Sequence, residues 1–366
     1  MKKLKVIVSG GGTGGHIFPA IAIAKSLERK VEDIELLFVG AKDRMEMQEV
    51  PDFGYKIEGL WISGFQRSFS RKNLLFPFKL ISSLIKSRKI IRRFQLDLVI
   101  GTGGFASGPL LYEASRKGIP SVIQEQNSYP GITNKLLAKS VQKICVAYDN
   151  MERFFPKEKL IFTGNPIRKE ILNSSNKREE GKNFFKLHNR RITVLVVGGS
   201  LGAKTINESI NNNLGEFKKN KLNLIWQTGV SYENQSKESV KNINVSGIQS
   251  YKFIKQMDLA YAAADIIVSR AGAIAISELC FVGKPVILVP SPNVAEDHQT
   301  QNAQSLVNKN SALMVKDVES RLKLVDKIKS LSENKDLQEE LSRNIKKLEV
   351  KDAADRIADL SLELVK

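Results

Sequence analysis

Two doubly wound α/β domains are predicted for this chain, on three observations. Continuous apolar runs alternate with segments of helical period, the pattern breaks in a polar, basic stretch at 173–191, and each half opens with an apolar strand entering a glycine turn and a helix. Runs at 4–9, 34–39, 96–100, 121–124, 143–147 and 160–163 precede the break, and runs at 193–197, 222–227, 244–247, 266–269 and 286–289 follow it. Strands that are apolar throughout belong in parallel sheets covered on both faces. Between them, Ile21, Ile23, Ala24 and Leu27 show the spacing of a helix packed on such a sheet. The stretch from 164 to 191 reads as the junction, and residues 318–366 read as charged helix. A length of 366 residues is too great for one ordinary core and suits two.

Composition narrows the class. Hydrophobic residues make up 42% and charged residues 26%, so a folded globular chain is expected rather than a disordered one. The net charge of +18 suits an acidic partner, such as a phosphorylated small molecule, nucleic acid or an anionic membrane; a lysine-rich proteome would also produce it. Cys145 and Cys280 lie in apolar surroundings with no metal-ligand spacing, which predicts buried, reduced thiols. The apolar run 6–8 is too short for a signal peptide, and no stretch reaches the roughly 20 apolar residues that span a bilayer. A cytoplasmic chain touching membrane only at its surface is expected.

The glycine turns carry most of the chemical signal. Gly10, Gly12 and Gly15 match GxGxxG, but the second strand ends in Gly40, without the acidic residue a nicotinamide or flavin ribose requires. The second turn, 198–205, has Ala203 where a phosphate-loop ATPase needs Gly, and 266–269 ends in Ser269 rather than a magnesium-binding acid. Both turns still point backbone N–H groups at a helix start, where phosphate binds. A third cluster, Gly101, Thr102, Gly103 and Gly104, follows another strand and predicts a second phosphate-type site. His16 opens the first helix, whose positive end disfavours imidazolium and keeps the ring able to accept a proton. His298 lies in the site-like run EDHQTQNA, whereas His188 reads as solvated. Glu278, on the helix after the small-residue turn at 270–273, can accept two hydrogen bonds from a diol. In 73–93, Leu75, Phe76, Phe78 and Leu80 stand among cations, as in an interfacial segment that inserts apolar side chains beside anionic headgroups; a buried helix with a basic end is the alternative.

Seven segments in order, GGTGGHIFPAIAIA, GTGGFASGP, QEQNSYPGITNK, GNPIR, VVGGSLGAK, SRAGAIAISE and EDHQTQNA, closely resemble the MurG family of peptidoglycan N-acetylglucosaminyltransferases, over about residues 4–305. The resemblance implies a GT-B glycosyltransferase: two Rossmann-like doubly wound domains facing a cleft. Residues 1–163 would face acceptor and membrane, with a C-terminal helix at about 349–366 packing back on them, and 164–348 would hold the UDP-sugar. It implies UDP-GlcNAc as donor and undecaprenyl-diphosphoryl-MurNAc-pentapeptide (lipid I) as acceptor. Peripheral attachment to the cytoplasmic face of the bacterial membrane, on its anionic inner surface, is implied too. Other cell-wall synthesis proteins are candidate partners, and nucleic acid is not.

Carried over by resemblance, the donor contacts fall on Thr13, Gly14, Gly15, Asn127, Arg168, Ser200, Ile254, Ala273, Ile274, Ala275, Ile276, Ser277, Glu278 and Gln299. Ile254 would meet uracil through its backbone, Glu278 the ribose hydroxyls, Ser200 the diphosphate and Gln299 the sugar. Gly101, Gly103 and Gly104 would face the acceptor diphosphate, and His16 is the candidate general base. No carboxylate pair of metal-binding type lies near the donor motifs, so no tightly bound metal and no cofactor are expected. Two departures stand out: Gln124 where many relatives carry His, and Ala275 in place of a common Thr. The rival readings are another GT-B enzyme, such as a UDP-sugar epimerase or a glycolipid glycosyltransferase, and a basic binding module without catalysis.

Overall fold

The computed structural model describes residues 3–64, 75–172, 174, 176–199, 201–294 and 297–365. The chain divides into two compact units, the first comprising Met1–Ile167 and Val350–Lys366 and the second Arg168–Glu349. Among the described residues, unit 1 holds β1 (Leu4–Gly10), β2 (Ile34–Ala41), β3 (Ile57–Leu60), β4 (Leu98–Gly103), β5 (Ser121–Glu125), β6 (Lys143–Val146) and β7 (Leu160–Phe162). They form one sheet in the order β3-β2-β1-β4-β5-β6-β7, and every pairing is parallel. Unit 2 holds β8 (Thr193–Val197), β9 (Asn223–Gln227), β10 (Ile248–Tyr251), β11 (Ile266–Ser269), β12 (Val286–Leu288) and β13 (Leu313–Met314), in the order β10-β9-β8-β11-β12-β13, again all parallel.

Strand alternation explains the layering. Val6 and Val8 of β1 face a core containing Ile17, Ile21 and Ile23 from the helix Gly14–Lys30, while Ile7 faces a second core with Val99, Leu110 and Leu111. In β8, Val194 and Val196 join one core and Leu195 the other. Each of these side chains is buried, so truncating one of the Ile or Leu residues to Ala would cost about 2–5 kcal/mol. Cys145 and Cys280 are free and buried, and burial pushes both thiols up to about 12.

The helix Ala353–Leu362 belongs to unit 1. Ile357 and Ala358 are wholly buried beside the helix Gly14–Lys30. Polar contacts frame that packing: Ser26 donates to Asp355, Arg29 pairs with Asp355 at 2.6 Å and Lys30 with Asp359 at 2.8 Å. Exposed pairs of this kind contribute little, so the apolar seam supplies most of the stabilisation.

Several local expectations are corrected. The stretch 173–191 is not a featureless junction: it holds the helix Arg178–Phe184, and Phe185 and Ile171 are buried in a core of unit 2. The strand expected at 244–247 begins instead at Ile248, because Asn244 takes a left-handed conformation (φ 48°) that caps the helix Glu233–Ile243. His188 is not merely solvated, since its Nε2 lies 2.6 Å from the Ser246 hydroxyl.

Candidate active site

In unit 1, β1 and β4 end side by side and bring the first and third glycine clusters together. Gly103 and Gly104 have φ of 98° and 89°, a region that favours glycine. A Cβ on Gly104 would sit 2.5 Å from the Gly11 carbonyl oxygen, and one on Gly103 would sit 2.9 Å from the His16 ring. The two loops therefore touch backbone to backbone, with the imidazole laid over Gly103. Thr13 is the N-cap of the helix Gly14–Lys30, and its carbonyl accepts from the N–H groups of His16 and Ile17. Gly101 is buried against Leu111.

Glu46, which the sequence reading passed over, latches this region. Its carboxylate is fully buried and accepts from the Gly12 N–H at 2.7 Å and the Ala41 N–H at 2.9 Å. The first glycine turn thus spends one N–H on the protein itself.

A chain of buried amides runs from His16. Its Nδ1 lies 3.1 Å from the Gln126 Oε1; the Gln126 amide nitrogen donates to the Thr102 carbonyl at 2.7 Å and also to Gln124. Gln124 donates to Asn165 Oδ1 at 2.8 Å, and Asn165 donates to the Gln126 carbonyl at 3.0 Å. Asn127 lies next along the chain, held by Glu125, whose Oε1 accepts from its backbone N–H at 3.0 Å.

In unit 2, Arg168 and Glu278 come together as a bidentate pair, with Nε–Oε1 at 2.7 Å and Nη2–Oε2 at 2.9 Å. Tyr261 donates to the same Oε2 at 3.2 Å. Glu278 is buried, and Arg168 is about a third exposed. Burial pulls the Arg168 pKa down, but the hydrogen bond and charge of Glu278 outweigh it and the net shift is upward. Burial first, and then Glu278, holds the Tyr261 hydroxyl well above its usual range. The carboxylate is therefore oriented from two sides, while two of the five guanidinium donors are used in the pair.

The second glycine turn is braced by Gln227, whose amide donates to the Gly199 carbonyl at 3.0 Å while its Oε1 accepts the Ile254 N–H at 2.9 Å. A base meeting Ile254 through its backbone must therefore use the carbonyl. Behind the turn, Arg270 reaches Asp317 at 2.5 Å and the carbonyls of Val289 and Pro290 at 3.1 Å; Thr205 donates to the same Asp317 oxygen. Ser200 lies outside the described residues. Gln299 accepts the Ser291 N–H at 2.9 Å.

Within Ala273–Ser277, Ile276 and Ala273 are buried in the core and Ser277 donates back to the Ala273 carbonyl, whereas Ile274 and Ala275 are half-buried. Helices Gly14–Lys30, Ser107–Arg116, Lys204–Asn212 and Ala273–Val282 all follow glycine-containing turns. None has a side-chain N-cap or a first-turn acid. By contrast, Lys335–Lys346 is capped by Asn334 and has Asp336 in its first turn. Phe76–Phe94, His298–Val307 and Ser320–Glu333 likewise lack both a side-chain cap and a first-turn acid, so an uncapped start does not by itself mark an anion site.

The helix Phe76–Phe94 divides its apolar residues between two faces. Phe76 and Leu80 pack against the unit 1 core, which corrects their expected outward placement. Leu75, Phe78, Ile81 and Ile85 are exposed, with Phe78 the most so at 65%. No described helix is long and apolar enough to cross a membrane. Among the described residues, no group of three or more His, Cys, Asp or Glu side chains could hold a metal.

Family models for the N-terminal and C-terminal domains of glycosyltransferase family 28 match residues 6–146 and 193–357. The chain is 53% identical to the UDP-N-acetylglucosamine--N-acetylmuramyl-(pentapeptide) pyrophosphoryl-undecaprenol N-acetylglucosamine transferase of Flavobacterium psychrophilum, over 100% of this chain and 99% of that one. It is 52% identical to the transferase of the same name from Cytophaga hutchinsonii, over 100% and 98%. The chain belongs to the MurG family of glycosyltransferases. The crystal structure of Acinetobacter baumannii MurG matches with a TM-score of 0.80 at 27% identity, covering 98% of this chain and 99% of that one, and the fold is GT-B. A UDP-GlcNAc 2-epimerase from Neisseria meningitidis, at 16% identity and a TM-score of 0.69, shares the fold alone. Against the MurG pattern, Gln124 is a working member of the amide chain and Ala275 lies on the half-buried side of its helix.

Proposed function

We infer that this chain transfers N-acetylglucosamine from UDP-GlcNAc to the 4-hydroxyl of the muramoyl sugar of undecaprenyl-diphosphoryl-MurNAc-pentapeptide, converting lipid I to lipid II in peptidoglycan synthesis. Identity of about half, over the full length of transferases bearing that name, carries the reading. The two rigidly held groups of unit 2, the Arg168–Glu278 pair and the Gly199–Gln227–Ile254 brace, support donor binding there. In the reaction the acceptor O4 bonds to the anomeric carbon, the bond from that carbon to the UDP oxygen breaks, and the configuration inverts. His16 takes the hydroxyl proton, a role worth about 10²–10⁴-fold. Helix-start N–H groups of unit 2 receive the charge that develops on the diphosphate, at about 2.7–4 kcal/mol per well-placed donor.

The test is transfer of labelled N-acetylglucosamine to a short-chain lipid I analogue, run with and without strong chelator. Labelled disaccharide and free UDP in both conditions support the reaction and the absence of a required metal. Loss only with chelator would overturn the second point. Donor turnover without acceptor would favour an epimerase.

Membrane attachment through Leu75, Phe78, Ile81 and Ile85, beside exposed Lys89 and Arg92, follows from the same acceptor. Replacing Phe78 and Ile81 with Ser should weaken binding to anionic vesicles with the melting temperature unchanged. Undiminished vesicle binding would remove this face from the proposal.

A further inference from the structure

We propose that Gln126 is a positioning residue that fixes His16 in the tautomer carrying its proton on Nδ1, leaving the lone pair on Nε2. The inference rests on the reading of His16 as proton acceptor and adds which nitrogen accepts, and why.

The direction of the hydrogen bonds follows from groups whose polarity cannot change. The Thr102 and Gln124 backbone carbonyls only accept, and both lie within reach of one end of the Gln126 amide, at 2.7 and 3.2 Å. That end is therefore the NH2, and the opposite end, 3.1 Å from His16 Nδ1, is the carbonyl oxygen. An oxygen that only accepts requires N–H on Nδ1. A second fixed acceptor gives the same answer independently. The Gln126 backbone carbonyl takes the Asn165 NH2 at 3.0 Å, so Asn165 offers its oxygen to the Gln124 NH2 at 2.8 Å, and Gln124 offers its own oxygen to the Gln126 NH2. All three amides are at least 98% buried. Reversing any one of them would set like against like away from water, acceptor facing acceptor at Gln126 and both kinds of clash at Gln124 and Asn165, a costly arrangement. The chain thus transmits one orientation from the backbone to the imidazole, as a carboxylate does in other acid–base sites.

The chain has three histidines, so ¹⁵N-histidine spectra can be assigned by the signals lost in His16→Asn and His188→Gln. In the wild type at neutral pH, the His16 pair should show a protonated-type Nδ1 and an unprotonated-type Nε2. In Gln126→Met, which offers no acceptor, that pattern should give way to a mixture. Transfer kcat should fall by about 10-fold or more, with affinity for UDP-GlcNAc unchanged. A wild-type spectrum with the proton on Nε2 overturns the proposal without recourse to any variant, so a variant that fails to fold does not shelter it. An unaltered pattern in Gln126→Met also overturns it. A changed tautomer with undiminished kcat would instead sink the reading of His16 as base, while leaving the control of its tautomer by Gln126 intact.

Discussion

The two glycine turns read alike in sequence, VIVSGGGTGGH and VLVVGGSLGAK, yet they are supported in opposite ways. Under the first lies a buried carboxylate: Glu46 takes the Gly12 N–H, and Gly104 presses on the Gly11 backbone. The second is pressed as closely, by Gly229 on the Leu201–Gly202 backbone, but below it lie the neutral amide of Gln227 and the guanidinium of Arg270, the latter matched by Asp317. A negative charge beneath a turn works against a bound diphosphate, and a turn with no uncompensated charge below it favours one. The same local pattern therefore serves two purposes. In unit 1 a buried carboxylate underlies the turn beside His16, and in unit 2 the charges below the turn are matched, which suits the donor diphosphate proposed above.

Three perturbations should sharpen that contrast. Each unit holds one tryptophan, Trp61 in unit 1 and Trp226 in unit 2, so single-tryptophan variants report the two unfolding transitions separately. The largest effect is expected from Glu278→Gln, which leaves Arg168 without its ion pair. Breaking a fully buried pair costs about 3–5 kcal/mol of stability, and less here because Arg168 is about a third exposed. Separately, loss of the carboxylate proposed to take the ribose hydroxyls should lower kcat/KM by about 100-fold or more. The Trp226 transition should move while the Trp61 transition stays. A Trp61 shift of equal size would mean that the two units do not respond independently.

Next comes Glu46→Gln, whose amide can satisfy only one of the two N–H groups that the carboxylate now accepts. About 1–3 kcal/mol of unit 1 stability should be lost, with slower transfer and unchanged UDP affinity. Weakened UDP binding would show that the first turn also holds the donor diphosphate.

The smallest effect concerns acid. Ser26, and then Arg29, depress the Asp355 pKa below its usual value, so the carboxylate stabilises unit 1 above the ordinary range and loses that contribution as pH falls through its lowered pKa. Asp355→Asn should therefore lower the Trp61-reported stability at pH 7, with the gap to wild type closing below about pH 4. A gap independent of pH would make the contribution steric.

Much of this was legible in the sequence, and the exceptions have physical causes. Long apolar runs such as β1 and β8 read directly, because a strand buried on both faces has no polar alternation to misread. β3 and β13 escaped notice as short edge strands of four and two residues. The helix Arg178–Phe184 was hidden because its own residues are mostly polar and the anchoring aromatic, Phe185, follows its end. Backbone sites such as Gly103 and Gly104 show themselves through residue type. Glu46, Gln126, Gln227 and Tyr261 do not, because each acts on a partner that only the folded sheet brings near: His16 and Gln126 are separated by 110 positions. Motifs reveal the groups that meet substrate, while the groups that aim them are assembled by topology.

The placement of Ala353–Leu362 also bears on how the protein is made. Unit 2 is one continuous stretch of chain, whereas unit 1 is interrupted by it and recovers Ile357 and Ala358 for its core only afterwards. During synthesis, unit 2 can complete its fold while the larger part of unit 1 waits without Ile357 and Ala358, leaving open the strip of its apolar core that they join. An apolar strip left open for that interval is where a chaperone would bind, and where a stalled or truncated chain would first aggregate.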